Sequence, residues 1–391
     1  MPRRRPRRRH GAIRSAPVHE LIGVSGYTGH MGGSDVDGPP ATPGGPATAH
    51  DAPPTRSQPT ARRRRLLSFS AVLGGLGALV VCSPLLVPAA VVFDVVRFKW
   101  RLPTLRLMAF VVLYLALDAW AIGMAAKLWA RHGLGTRLTT PSSIADHHRA
   151  QWVWGERVAQ AARWTLGLRF DVTSPEPLSP GPVVALGRHA SYGDAILPLL
   201  LLGSWSGLAV RYVIAVGLAW DPCIDLFGHR VGHHFVDRGA ARNPGELLAV
   251  ARMARGMDAD DAAVIFPEGQ FLTPERRARA IARVADEDPT LAARAERLRH
   301  LLPPRPGGVL ALLGAAPGAD VVLIGHVGLE GFGRVVDIWR NVPLRRPVSV
   351  RTWRLPAAEI PAGRAQRVAW LYDAWESLDA WIEEQVRAGG R

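Results

Sequence analysis

His189 and Asp194 stand five residues apart in Gly187-Arg188-His189-Ala190-Ser191-Tyr192-Gly193-Asp194. An apolar run at 183–186 precedes this segment and reads as a buried strand, and a second apolar run at 195–202 follows it. The pair is therefore expected where a strand gives way to a helix, at the end of a sheet where open α/β folds bind ligands. A carboxylate that folds back onto one imidazole nitrogen leaves the other free to take a proton, which is general-base chemistry suited to cellular pH. The proton is expected to come from a substrate hydroxyl. Ser191 lies only two residues from His189, and the chain has no Gly-x-Ser-x-Gly elbow of the serine-hydrolase kind. Taken alone, the pair is also compatible with plain capping of the turn.

Two further segments bear on the chemistry. In Gly232-His233-His234-Phe235-Val236-Asp237-Arg238, the planar fork of Arg238 suits a phosphate or carboxylate. In Val264-Ile265-Phe266-Pro267-Glu268-Gly269-Gln270, Pro267 ends a strand, Gly269 permits a tight turn or close ligand approach, and Glu268 is set at the strand's exit. Arg276, Arg277 and Arg305 follow and are candidates for binding further phosphates, or else solvated surface charges. His229 and His233 have the i, i+4 spacing of a metal pair, with His234 and Asp237 close by. Residues 233–237 are read instead as the approach to Arg238, and no metal site is assigned. With only Cys82 and Cys223, a disulfide framework and a four-cysteine zinc site are both excluded.

From about Pro141 onward the pattern is that of an α/β domain. Ser143 with Asp146 resembles a capping pair ahead of an amphipathic helix through Trp152, Val153, Val158 and Trp164, on whose surface His147 and His148 are expected. Runs at 183–186, 212–216, 263–266 and 321–324 read as buried strands, and the Arg- and Ala-rich stretch 274–302 as helical. A final helix presents Val368, Leu371, Tyr372, Trp375, Leu378, Ile382 and Val386 on one face. These elements predict a mixed, mainly parallel central sheet with helices on both faces.

Ahead of that domain, residues 66–93 are 28 in a row without a formal charge, where about 20 suffice to cross a bilayer. A second run, 107–126, is interrupted only by Asp118, and Trp100, Trp120 and Trp129 lie where interfacial aromatics are favoured. The two runs predict a membrane hairpin. Both of its flanks are basic, with arginines at 62–65 and Arg97, Lys99, Arg101 and Arg106 in the connector, which violates the positive-inside rule for a spanning pair. Pro84 and Pro88 can break the first run, so a re-entrant or half-embedded hairpin is expected. Net charge is +15, but residues 1–65 hold twelve arginines against four acids, so over half the excess lies in an Arg/Pro/Gly-rich arm read as disordered. Arginines beside an apolar segment favour anionic lipid over nucleic acid, and no nucleic-acid partner is expected. The domain organisation is thus an arm at 1–65, a membrane hairpin at 66–130 and a catalytic domain at 140–391. Arginine outnumbers lysine 46 to 2, the composition of a GC-rich bacterial genome, which makes the cytoplasmic membrane the expected location, with the catalytic domain on the cytoplasmic side.

Together the three segments resemble the glycerolipid (lysophospholipid) acyltransferase family, over about residues 140–390. Its first block is His-x-x-x-x-Asp (the HX4D motif), matched by His189 and Asp194; its second contains Phe-x-x-Arg, matched by Phe235 and Arg238. The third is Phe-Pro-Glu-Gly, matched by Phe266, Pro267, Glu268 and Gly269. The chain departs in carrying Arg188 where many members have Asn, and in lacking the usual Pro of the fourth block, where it reads Val321-Val322-Leu323-Ile324-Gly325-His326-Val327. His326 is expected at most in a pocket wall. The resemblance implies direct acyl transfer, without a cofactor, from acyl-CoA or acyl carrier protein to a lysophospholipid hydroxyl, 1-acyl-glycerol-3-phosphate first. His189 would act as base, Asp194 would orient it, Arg238 would hold the acceptor phosphate, and Glu268 with the backbone around Gly269 would position the glycerol. The same chemistry on another lysolipid, glycolipid or hydroxylated metabolite, a thioester or lipid hydrolase, and a non-enzymatic scaffold are the alternatives.

Overall fold

The computed structural model of the chain describes residues 60–237 and 244–389. Most of the arginine-rich arm, and Arg238, lie outside the described residues. The last arginines assigned to the arm, Arg62 to Arg65, are already in the first turn of helix α1 (Ala61–Val81). A break at Cys82 leads into α2 (Ser83–Val96), and a reversal leads into the 29-residue α3 (Pro103–Arg131). Pro84, in the first turn of α2, marks this break, whereas Pro88 is carried inside α2. The hairpin is therefore built of three helices, two of which, α1 and α3, are long and apolar enough to cross a membrane by length and composition.

The two acids of the hairpin, Asp94 and Asp118, help to hold it. Asp94, fully buried, accepts from the Thr104 amide and hydroxyl at 2.9 and 2.6 Å and from the Leu105 amide at 3.3 Å, capping α3 across the reversal. Asp118 accepts from the Trp154 indole at 3.2 Å in α4 (Pro141–Leu166). The N-cap of α4 is Thr140, three residues ahead of the expected Ser143, and Asp146 faces His132 Nε2 at 3.0 Å. His147 and His148, expected on the surface, are buried, because α4 is covered by helices on one side and the sheet domain on the other. Burial holds the His148 imidazole down at about 4.

The domain is a seven-stranded sheet in the order β1-β7-β6-β2-β5-β3-β4. Its strands are β1 (Phe170–Thr173), β2 (Val183–Gly187), β3 (Ala209–Ala215), β4 (His234–Val236), β5 (Asp261–Ile265), β6 (Asp320–Val327) and β7 (Val348–Leu355). β2 pairs in parallel with β5 and β6, and β5–β3 and β3–β4 are parallel as well; β7 runs antiparallel to β6 and carries β1 in parallel with itself. This is the expected mixed, mainly parallel sheet. The missed strand β1 alternates half-buried and exposed positions, β7 mostly alternates buried and half-buried ones, and β4 is three residues long, so none presents a continuous apolar run.

Central strands are apolar throughout because successive side chains enter opposite cores. Val184, Leu186, Ala263, Ile265, Val321 and Leu323 pack beneath α7 (Pro244–Ala254), α10 (Pro306–Ala315) and α12 (Arg364–Gly389). Val183, Ala185, Ala262, Val264, Val322 and Ile324 face the other way, toward the end of α4 and the helical segment that starts as α5 (Ile196–Pro198) and continues with π winding over Leu199–Ser204. Between β3 and β4 runs α6 (Pro222–Val231); α8 (Pro274–Glu287) and α9 (Pro289–Arg297) fill the Arg- and Ala-rich stretch, and α11 (Val335–Asn341) joins β6 to β7. In α12 the expected apolar face is buried around Trp375 and Leu378, while Val386 is exposed.

Both ends of the hairpin are tied to this domain. At the start of α1, Arg64 and Arg65 each reach Asp225 of α6 at 2.5 Å. At the reversal, Trp339 of α11 donates to Thr104 at 2.8 Å and Arg106 donates to the Thr165 carbonyl at 3.0 Å. Asp225 is buried, so removing its charge strands Arg64, and breaking one member of a buried pair costs about 3 kcal/mol. In Asp225→Asn, hydrogen exchange should accelerate across α1 while the protection of β2 and β5 stays at the wild-type level.

Candidate active site

β2, β5 and β6 end together, and the loops beyond them make the site. The register pairs Leu186 with Ile265 on one side and Gly187 with Ile324 on the other, so residues 188–194 and 266–270 emerge side by side. Gly187 is required there by contact: a Cβ at that position would lie 2.6 Å from the Phe266 ring. Gly269 closes a turn by donating to the Phe266 carbonyl at 3.0 Å, and its φ of +68° is one that a side chain disfavours.

His189 sits at the crossing of these loops. Its ring lies 4.8 Å from the Phe266 ring and 4.4 Å, edge on, from Phe271. Its Nδ1 is 3.6 Å from Asp194 Oδ2, a charge contact longer than a hydrogen bond. Asp194 is 1% exposed, and the same Oδ2 accepts from the Ala190 and Ser191 amides at 2.5 and 3.0 Å, which closes the turn back on itself. Burial works to raise the Asp194 pKa, but the neighbouring His189 and His326 imidazoles outweigh it and hold the carboxyl well below the usual carboxylate range. Asp194 is thus a fixed anion behind the imidazole.

Glu268 takes a different part from the one expected of it. It is buried, and its two carboxylate oxygens accept from the His189 amide at 2.7 Å and the Leu302 amide at 2.9 Å. Leu302 is held in turn by its carbonyl, which accepts from the Trp375 indole at 3.0 Å. Each oxygen of Glu268 accepts one backbone amide, so the side chain braces the His189 loop. Phe235 is also displaced from its expected place: it stacks on the His229 ring at 4.4 Å, and its neighbour Val236 faces the cleft instead. A three-residue strand turns consecutive side chains to opposite sides, which puts only one of the two in the cleft.

That cleft, about 170 Å³, opens beside His189 and runs between the ends of β3 and β5 and helices α7 and α10. Its wall is apolar, with Val213, Ala215, Leu218, Val236, Leu247 and Phe266, and Pro267, Gly269 and Arg305 also line it. Of the three arginines weighed from sequence, Arg305 alone lines the cleft: Arg277 bonds the Leu298 and Glu296 carbonyls and Arg276 the Phe271 carbonyl. Among the described residues no group of three or more His, Cys, Asp or Glu is arranged for a metal. His233 meets Gln151 at 2.8 Å, His234 meets Glu246 at 2.6 Å, and His229 meets the Asp225 carbonyl at 2.8 Å. His326, expected in a pocket wall, lies behind Asp194. Phe271 and the β3 residues of the cleft were not singled out from sequence, since nothing in their types marks them off from core residues.

Burial pushes the Glu268 carboxyl up to about 8, against the pull of its two amide donors and of Arg188. The folded protein therefore holds a proton there that the unfolded chain releases above about pH 4.5. Between those values this group makes stability fall as pH rises, by about 1.4 kcal/mol per unit at most, and the effect levels off above pH 8. Glu268→Gln cannot titrate, so in denaturant melts its stability should fall less than the wild type's from pH 5 to 8.

Residues 169–318 match the protein-family model described as Acyltransferase. Among solved structures, the chain is similar to the 1-acyl-sn-glycerophosphate (LPA) acyltransferase PlsC from Thermotoga maritima, at 12% identity and a TM-score of 0.44, covering 69% of this chain and 95% of that one. No curated protein matches the sequence. The matched stretch contains all three motif blocks and the loops that bring His189, Asp194 and Glu268 together, and it is an acyltransferase domain.

Proposed function

We propose that this acyltransferase moves a fatty acyl group from a thioester of coenzyme A or acyl carrier protein to the hydroxyl of a lysophospholipid, 1-acyl-glycerol-3-phosphate first, in phospholipid synthesis. The observation that carries the reading is the seating of His189, backed by a buried Asp194, at an apolar cleft. The acceptor hydroxyl gives its proton to the His189 nitrogen that does not face Asp194 as its oxygen attacks the thioester carbonyl. Collapse of the tetrahedral intermediate breaks the carbon–sulfur bond, and the leaving thiolate takes the proton back from the imidazolium. Asp194 stabilises the imidazolium in between and holds the ring's orientation. The acyl chain lies in the apolar cleft. Arg238, two residues beyond the cleft-lining Val236, takes the acceptor phosphate.

The hairpin supports work at a membrane. Its outer surface exposes Leu66, Leu73, Val81, Leu85 and Val92, and the reversal presents Phe98 and Trp100, 79% and 71% exposed, among Arg97, Lys99 and Arg101. Alternating cations and aromatics suit the head-group region of an anionic leaflet. Because both ends of the hairpin are tied to one domain, it is read as dipping into the bilayer and returning, with the catalytic domain on the cytoplasmic side. Val335 and Val336, exposed on α11, extend the same apolar surface, since Trp339 of α11 packs against Phe93 with centroids 6.5 Å apart.

The test uses nanodisc-held protein, labelled acyl-coenzyme A and a panel of lysolipids. Wild type should acylate lysophosphatidic acid, and His189→Ala should lose about 10²- to 10⁴-fold in kcat with expression and membrane association unchanged. Free fatty acid released without dependence on any acceptor would overturn the transfer reading in favour of hydrolysis. In the same assay Ala215→Leu, which adds methylenes to the cleft wall, should discriminate against the longest acyl donors by about tenfold while sparing short ones.

A further inference from the structure

Asp194 has a second imidazole on it. His326 approaches the same Oδ2 at 3.5 Å through Nε2, beside the 3.6 Å of His189 Nδ1. His326 stands on β6, two residues beyond the Ile324 that pairs with Gly187, and alternation puts it on the same face as Ile324, beside the 188–194 turn. It is buried, and its Nε2 also faces the Arg188 carbonyl at 3.3 Å. Both neighbours of Nε2 are acceptors, which assigns the ring proton to that nitrogen. Nδ1 is buried without a hydrogen-bond partner. An imidazole kept in the interior with one nitrogen unsatisfied is costly where an apolar side chain would pack at no such penalty.

Arg188 builds the seat. Its amide donates to the Ile324 carbonyl at 3.1 Å, and its guanidinium bonds the His326 carbonyl and reaches Glu330 at 2.5 Å. The residue just ahead of His189 is thus tied to β6 through its amide, its carbonyl and its side chain. Arg188, in the first block, and His326, in the segment that stands at the fourth, are partners in one arrangement.

We propose that His326 is a positioning residue for the acyl-transfer reaction: it presents Nε2–H to the Asp194 oxygen that faces His189, anchors that oxygen, and divides the carboxylate's charge between two imidazoles. The proposal rests on the His189/Asp194 reading given under Proposed function. With His326 removed, the whole charge of Asp194 would face His189 alone. The other ionisable groups around the trio are Arg188, Glu268 behind the His189 amide, Glu330 on Arg188, and His300, whose carbonyl accepts from Arg188 and whose ring bonds Glu383 at 2.7 Å.

The experiment compares wild type, His326→Leu and His326→Gln as full chains in nanodiscs. One readout is the pH profile of kcat/KM for acyl transfer, and the other is the NMR titration of the His189 ring, assigned by its absence in His189→Gln. In His326→Leu the acid limb and the His189 titration should both move up by about half a unit to one unit. Its kcat should fall about 10- to 100-fold with KM for donor and acceptor little changed. Gln keeps an N–H donor and should bring both quantities back toward wild type. Where the Leu variant does not fold, His326→Asn, whose amide falls short of Asp194, takes its place. An unmoved His189 titration, or a Gln variant as impaired as Leu, overturns the proposal. The NMR titration needs no substrate, so a wild type that acylates no acceptor would sink the acyl-transfer reading while the sharing of Asp194 is still judged on its own.

Discussion

The placement of β2 between β5 and β6 is the constraint from which the rest of the molecule follows. All three strands run the same way and are buried on both faces, so their registers are held by two cores at once and their ends are brought level. A slip of one residue in β2 would exchange Val183 and Ala185 with Val184 and Leu186 between the two cores. It would also carry His189 away from the loop that bears Phe266 and Glu268. The geometry of the loops around His189 and core packing are therefore one problem in this fold, solved by the same side-chain alternation.

Above the strand ends the polar groups are deployed in layers. Asp194 and Glu268 are both buried carboxylates, and their surroundings set them apart. Asp194 has two imidazoles beside it and stays an anion; Glu268 has two amides and a deeper desolvation, which pushes its proton affinity up. One acts as charge and the other as a brace. Behind the brace, the Leu302 carbonyl takes the Trp375 indole, so that α12, the last helix among the described residues, reaches the His189 amide through three hydrogen bonds and the Glu268 carboxyl.

The apolar hairpin is integrated with this domain by its few charged residues. Arg64, Arg65, Asp94, Arg106 and Asp118 are each bonded to a neighbouring element or across the reversal, and the apolar residues between them face outward. A charge inside an apolar run is costly unless paired, so each such residue marks a point where the hairpin meets protein. The stretches without them carry the hairpin's exposed apolar side chains.

The amino-acid sequence by itself determined the four central strands, the apolar hairpin, and the His189/Asp194 and Phe266 to Gly269 blocks, because buried parallel strands and turn residues leave continuous local signatures. Tertiary structure decided what no local pattern encodes. Glu268 became a backbone brace because Leu302, 34 residues on, supplies an amide to its second oxygen. Phe235 turned to His229 and left Val236 in the cleft because a three-residue strand has too little periodicity to declare its faces. His147 and His148 were buried by partners distant in the chain, and His326 came to rest behind Asp194 because β6 runs on past the end of β2, with His326 two residues beyond Ile324 on the same face. Each of these depends on pairing between segments far apart in sequence, and the energy that selects the pairing lies in contacts formed only once the sheet has closed.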